Sequence, residues 1–312
     1  MRTVSIRPCG AMRLVPTLIM NRIGRISVTI RVGCDACGVH LLDGGGGSDT
    51  GNSIYTESMA TLDPTRRFSD RVENYILSRP SYPPEVLETL RQECGMTAMA
   101  EIADVACGTG IFTRLLLENG NRVFGVEPNH EMREAALRLL GSYPKFEAID
   151  ASAESTTLPD RSVDFVTAAQ AAHWFDLLAA RREFTRILKP GGWVVLIWNQ
   201  RITDSTEFLR SYEKLLLTFA TDYEKVRHEH TTEGIDGFFA PSPYHVREFP
   251  MPQSMDYPSL ERRLLSSSYV PLAGHGNYAP MLSELRRLFE ATQVNGRVSI
   301  DYTTRMYFAQ LT

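Results

Sequence analysis

Asp104-Val105-Ala106-Cys107-Gly108-Thr109-Gly110, followed by Val126-Glu127-Pro128, is the passage that decides the fold. An apolar run from Ile102 to Ala106 feeds a small, glycine-bearing turn. A helix-like run from Ile111 to Asn119 follows at once, and a second apolar run (Val123, Phe124, Val126) ends in a carboxylate. Strand, tight turn, helix, strand and acid, in that order, make the nucleotide-binding half of an open α/β sheet. Glycine at 108 and 110 removes the Cβ that would keep the backbone away from a ligand. Glu127 falls at the tip of the second strand, where a carboxylate accepts both hydroxyls of a ribose.

Two common nucleotide loops do not fit. A dinucleotide fingerprint needs a third glycine where Thr113 stands, and a P-loop needs Gly-Lys-Ser/Thr. The passage instead resembles motif I of class I S-adenosylmethionine-dependent methyltransferases, approximately Asp-x-Gly-x-Gly-x-Gly. Asp104, Gly108 and Gly110 match it, and Ala106 replaces the first glycine. Later segments extend the resemblance. Phe146 to Asp150 reads as a third strand before Ala151-Ser152-Ala153-Glu154. Phe165 to Ala169 reads as a fourth, before Gln170-Ala171-Ala172-His173-Trp174-Phe175. Phe184 to Lys189, then Pro190-Gly191-Gly192-Trp193-Val194-Val195, reads as helix, turn and fifth strand. The chain is similar to the type 11 methyltransferase group over roughly residues 66 to 310.

That resemblance implies an α/β fold: a Rossmann-like, seven-stranded, mostly parallel sheet with an antiparallel last strand, helices on both faces, and a helical lid. It implies S-adenosylmethionine as methyl donor. Asp104, Ala106, Gly108 and Gly110 would form the loop beneath the donor, Glu127 would hold its ribose, and Ser152 and Ala153 would meet its adenine. The oxygen of Gln170 would contact the polarised methyl or the ligand's ammonium, and Tyr75 and Arg79 would bind the methionine carboxylate. Transfer by in-line displacement places the burden on proximity and orientation. Where the acceptor must lose a proton, His173 is the candidate base, since imidazole titrates near neutrality. A non-catalytic sensor or partner subunit of the same fold is the alternative, because fold does not guarantee turnover.

Composition narrows the partners. The 312 residues are 43% hydrophobic and 22% charged, ordinary for a globular protein. Residues 1 to 34 carry six arginines and no acid, which leaves 27 basic against 37 acidic side chains in the remainder. An acidic body is a poor electrostatic footprint for nucleic acid, so a small-molecule acceptor is expected. No apolar run approaches the roughly 18 residues that span a bilayer. Five cysteines without a disulfide-like framework suggest a reducing, cytoplasmic setting. Cys34, Cys37 and His40 have metal-like spacing but fall short of the four ligands of a structural zinc site, so no metal is expected. His228-Glu229-His230 reads as a solvated, loop-prone stretch.

Residues 1–60, with the Gly44–Gly47 run, read as a flexible N-terminal extension. Residues 61–312 read as the methyltransferase domain, its cofactor half over about 66–200 and its acceptor, lid and final strands over about 201–312. Helices are predicted over Asp204 to Ala220, Leu260 to Ser268 and Met281 to Ala291. A strand is predicted over Tyr244 to Phe249. The Asn295-Gly296 turn precedes Val298, Ile300, Tyr302, Thr304, Met306 and Phe308, whose period of two predicts the antiparallel strand.

Overall fold

The computed structural model describes residues 13–20, 26–33, 79–221, 223 and 234–311. The chain divides into two compact units, Met1–Ser53 and Ile54–Thr312. In the first, strands β1 (Arg13–Met20) and β2 (Ile26–Gly33) pair antiparallel, with Arg13 opposite Gly33 and Met20 opposite Ile26. Within the N-terminal extension expected over residues 1–60, these two strands are the part the structure describes. Val15, Thr17, Ile19, Val28, Thr29, Ile30 and Val32 are β-branched and favour strands, and Pro16 is tolerated because a two-stranded ladder is all edge.

The second unit is built on a seven-stranded sheet. Its strands are β3 (Glu101–Val105), β4 (Arg122–Val126), β5 (Phe146–Ile149), β6 (Val163–Ala169), β7 (Leu188–Arg201), β8 (His245–Met255) and β9 (Val298–Gln310). They lie in the order β5-β4-β3-β6-β7-β9-β8. The first five pair in parallel, while β9 runs antiparallel to both β7 and β8. The order reverses between β4 and β6 on either side of β3, which opens a crevice at the carboxyl ends of these strands.

Side chains alternate between the two faces. Ile102, Val123, Phe165, Val195 and Phe308 pack with helices α1 (Glu85–Cys94) and α2 (Ile111–Glu118). Ala103, Val105, Val126, Val166, Val194 and Leu196 pack on the other face with α4 (Leu177–Ile187) and α6 (Ile235–Phe239). Between α2 and α4 in the chain, α3 (His130–Leu140) starts at an Asn129 cap whose side chain accepts from the Met132 N–H at 2.8 Å.

The predicted lid helices form a lobe with its own core. Helices α5 (Glu207–Phe219), α7 (Tyr257–Leu265) and α8 (Tyr278–Thr292) bury Leu209, Tyr212, Leu216, Leu260, Leu264, Met281 and Leu285 against Val298, Ile300 and Tyr302 of β9. Strand β8 extends past the predicted Phe249 through Pro250 and Pro252. It is the sheet edge, where an absent N–H breaks no ladder on the open side. Asn295 and Gly296, both at positive φ, close the turn into β9. Among the described residues no helix is long and apolar enough to cross a membrane.

Candidate active site

A cavity of about 220 Å³ lies where β3, β4 and β6 end. The turn after β3 forms its floor. Asp104 fixes that turn from below: it is 1% exposed and accepts from Thr113 Oγ1 of α2 at 2.6 Å and Thr167 Oγ1 of β6 at 2.8 Å. Thr113, which displaces the dinucleotide glycine, thus ties the helix to the strand. The turn itself needs left-handed backbone at Ala106 (φ 54°), Gly108 (φ 58°) and Gly110 (φ 83°). Alanine at 106 accepts a conformation that glycine adopts without strain.

Burial pushes the Asp104 carboxyl from its ordinary 3.8 up to about 6, against the threonine hydroxyls that favour its charged form. The folded protein therefore holds this proton more tightly than the unfolded chain. The resulting stabilisation is complete below about pH 4 and is lost as pH rises through 6. Lowering pH from 7 to 5 is expected to raise the unfolding free energy on the order of 1 kcal/mol through this group. Urea titrations of Asp104→Asn should show that part of the pH profile flattened; a variant profile that overlays the wild type would contradict the assignment.

Glu127 follows β4 and is buried, with its carboxylate oriented by backbone. Oε2 accepts from the Gly108 N–H at 2.9 Å and Oε1 from the Asn129 N–H at 2.8 Å. Burial raises its pKa, opposed by these two N–H groups and by Arg133. Each oxygen keeps a lone pair, and the residue lines the cavity. A carboxylate pinned in this way meets a vicinal diol without having to be ordered first.

Other walls come from loops further along the sheet. Ser152 and Ala153 follow β5, and Gln170 follows β6 in a left-handed conformation (φ 61°). Gln170 Nε2 donates to the Asn199 carbonyl at 3.1 Å, so its oxygen is what it can offer a ligand. Both ends of the Asn199 amide are engaged: Nδ2 donates to the Ser81 carbonyl at 3.1 Å, and Oδ1 accepts from Thr304 Oγ1 at 2.6 Å. It ties the segment after Arg79 to the end of β7, where Arg79, Pro80 and Tyr82 complete the wall.

Residues 103–196 match the family model described as a methyltransferase domain. By that match and by its strand order, this part of the chain is similar to a class I methyltransferase domain. The relatives carry the same designation. An uncharacterized methyltransferase of Mycobacterium tuberculosis is 39% identical over 139 residues, 45% of this chain and 54% of the relative. An uncharacterized methyltransferase-like protein of Schizosaccharomyces pombe is 30% identical over 165 residues, 53% of this chain and 63% of the relative. The alignments thus span about half to three-fifths of the length of these curated relatives. A solved structure from Anaeromyxobacter dehalogenans, provisionally named a type II methyltransferase, shares the fold with a TM-score of 0.56. It is 22% identical, covering 74% of this chain and 97% of that one.

Most of the expected site residues converge. Asp104, Ala106, Gly108, Glu127, Ser152, Ala153, Gln170 and Arg79 all border the one cavity. Tyr75 lies outside the described residues, as do Cys34, Cys37, His40, His228, Glu229 and His230.

Two expectations need correction. Gly110 does not line the cavity: a Cβ there would meet Leu140 Cδ1 at 2.3 Å, so its glycine serves packing of the turn against α3 rather than approach to a ligand. His173 does not line the cavity either. It is exposed in the short 3₁₀ turn Ala172–Trp174, and its Nδ1 accepts from Trp198 Nε1 at 3.4 Å. Its neighbour Trp174 does face the cavity. Asn199, Arg263 and Tyr302 were not foreseen. Tyr302 sits at an inward position of the alternating β9, whereas Arg263 follows Glu261 and Arg262 and reads in sequence as an exposed charged face.

The residues fit an adenosyl donor. A methyl group added at Gly108 would meet no protein atom within 4 Å, which leaves the space beside the turn open. The Glu127 carboxylate lines the same cavity and keeps the lone pairs that a ribose diol would need.

Proposed function

We propose that the protein transfers the methyl group of S-adenosylmethionine to a small-molecule acceptor by in-line displacement. The observation that carries this reading is the Glu127 carboxylate, held by the N–H groups of Gly108 and Asn129 at the rim of the cavity. The bound donor supplies a sulfonium-activated methyl group. The chain's residues bind and orient. Glu127 grips the ribose, Ser152 and Ala153 edge the base, Arg79 faces the donor's amino-acid end, and Gln170 presents an oxygen to positive charge. Trp174, Phe175 and Tyr82 wall the cavity and exclude water. Holding two reactants in attack geometry can supply about 7–11 kcal/mol of the barrier reduction, so no covalent intermediate is part of the reading. His173, exposed and off the cavity wall, is assigned no proton transfer. We place this chemistry in the cytoplasm, with the thiols of Cys94 and Cys107 free.

The test is product formation. Wild-type protein incubated with S-adenosylmethionine and a broad panel of small-molecule acceptors is expected to release S-adenosylhomocysteine above background with at least one chemical class. A protein that binds the donor yet stays silent on every acceptor would support the sensor reading instead.

A further inference from the structure

The lobe contributes a cation to the cavity wall. Arg263, on α7, is 6% exposed and lines the cavity together with Tyr302. Among the described residues its guanidinium meets only neutral oxygens. Nε donates to the Tyr302 hydroxyl at 3.0 Å, and Nη1 lies 3.4 Å from the hydroxyls of both Ser266 and Ser267. The other buried arginine among the described residues, Arg201 at the end of β7, is answered by the Glu213 carboxylate and the Tyr223 hydroxyl. Arg263 has no such counter-charge among the described residues.

A guanidinium stays ionised inside proteins, and burying one without an anion is far costlier than burying a pair. The missing half of this pair is an anion that reaches Arg263 through the cavity. A guanidinium fork matches a carboxylate in shape and charge. The Tyr302 hydroxyl, because it accepts from Arg263, keeps its own hydrogen for donation, and Tyr302 lines the same cavity. Arg79 stands close by, donating from Nη2 to the Ser266 carbonyl at 3.1 Å, which joins the lobe to the segment assigned to the donor.

We propose that Arg263 and Tyr302 bind a carboxylate of the acceptor, so that the substrate is a small organic acid. This rests on the methyltransferase reading of the cavity. The donor's amino-acid carboxylate is a second source of the same chemistry, and the test separates the two.

Wild-type protein, Arg263→Met, Arg263→Lys and Tyr302→Phe are titrated calorimetrically with two sets of probes. The first is S-adenosylhomocysteine and 5′-methylthioadenosine, which lacks the carboxylate. The second is acetate, succinate and citrate, each beside its neutral methyl ester, with and without saturating S-adenosylhomocysteine. At least one acid is expected to bind the wild type while its ester does not. Arg263→Met should weaken that acid roughly 10- to 100-fold, Arg263→Lys should recover part of the loss, and Tyr302→Phe should weaken it less. Both adenosyl probes should change by less than about twofold. Methionine keeps the buried aliphatic stem of Arg263 without its charge, and urea midpoints for each variant establish that it is folded. Loss of S-adenosylhomocysteine affinity in Arg263→Met with methylthioadenosine unchanged would overturn the proposal in favour of the donor. Acids that bind wild type and Arg263→Met equally, or that bind neither, would also overturn it. Failure of both adenosyl probes on the wild type would instead sink the methyltransferase reading, and the acid titrations would still report on Arg263 alone.

Discussion

Glu127→Ala is expected to weaken S-adenosylhomocysteine binding by about 1–3 kcal/mol, roughly 5- to 150-fold. The loss has two parts. A ribose diol would face a methyl group in a desolvated corner, and the N–H groups of Gly108 and Asn129 would lose their shared acceptor. The second part loosens the turn itself, so the effect should exceed that of deleting a surface contact. Glu127→Gln preserves the shape but replaces one acceptor with a donor, which sets an N–H against an N–H. It is expected to fall between alanine and wild type. Calorimetry on both variants, with urea midpoints to confirm folding, decides the matter. Equal dissociation constants for wild type and Glu127→Ala would remove Glu127 from the site.

Gly110→Ala is expected to cost stability rather than ligand contact. Its Cβ would stand 2.3 Å from Leu140 Cδ1, and Leu140 is fully buried at the end of α3. Overpacking of this kind costs about 1–3 kcal/mol, and a left-handed alanine about 1–2 kcal/mol more. Shortening the obstacle should relieve part of this, so Leu140→Ala combined with Gly110→Ala should be less damaging than the sum of the two singles. Gly108→Ala gives the opposite signature. It has the same backbone handedness but no protein atom within 4 Å of the added methyl. Its folding cost should be confined to about 1–2 kcal/mol of backbone strain, while affinity for the adenosyl ligand drops because the methyl fills ligand space. Denaturation and calorimetry on both variants check the contrast. A Gly110→Ala protein as stable as wild type, or a Gly108→Ala protein with undiminished affinity, would contradict the roles assigned to them.

The sheet was legible in sequence wherever one physical signal dominated. Apolar runs ending in small residues marked β3 and β6, and an apolar run ending in a carboxylate marked β4. The period of two from Val298 to Phe308 marked β9, which runs antiparallel as expected. Glu127 was legible because its place at a strand tip does not depend on distant residues. What two glycines two residues apart do was not legible: Gly108 borders the cavity and Gly110 meets Leu140, thirty residues on, and only tertiary packing tells them apart. His173 misled because its position after β6 fixes the end of the sheet, not the direction of the side chain. Arg263 left no signal, since a buried cation on an amphipathic helix has the same spacing as a solvated one. The paired strands Arg13–Met20 and Ile26–Gly33 were hidden by arginines and a proline that a two-stranded ribbon tolerates.

Titration of the wild-type protein with S-adenosylhomocysteine is the most direct measurement of the central claim. A single site of micromolar affinity is the predicted result, with 5′-methylthioadenosine competing for it and nicotinamide dinucleotides not. No binding of either adenosyl ligand, or displacement by a nicotinamide dinucleotide, would contradict it.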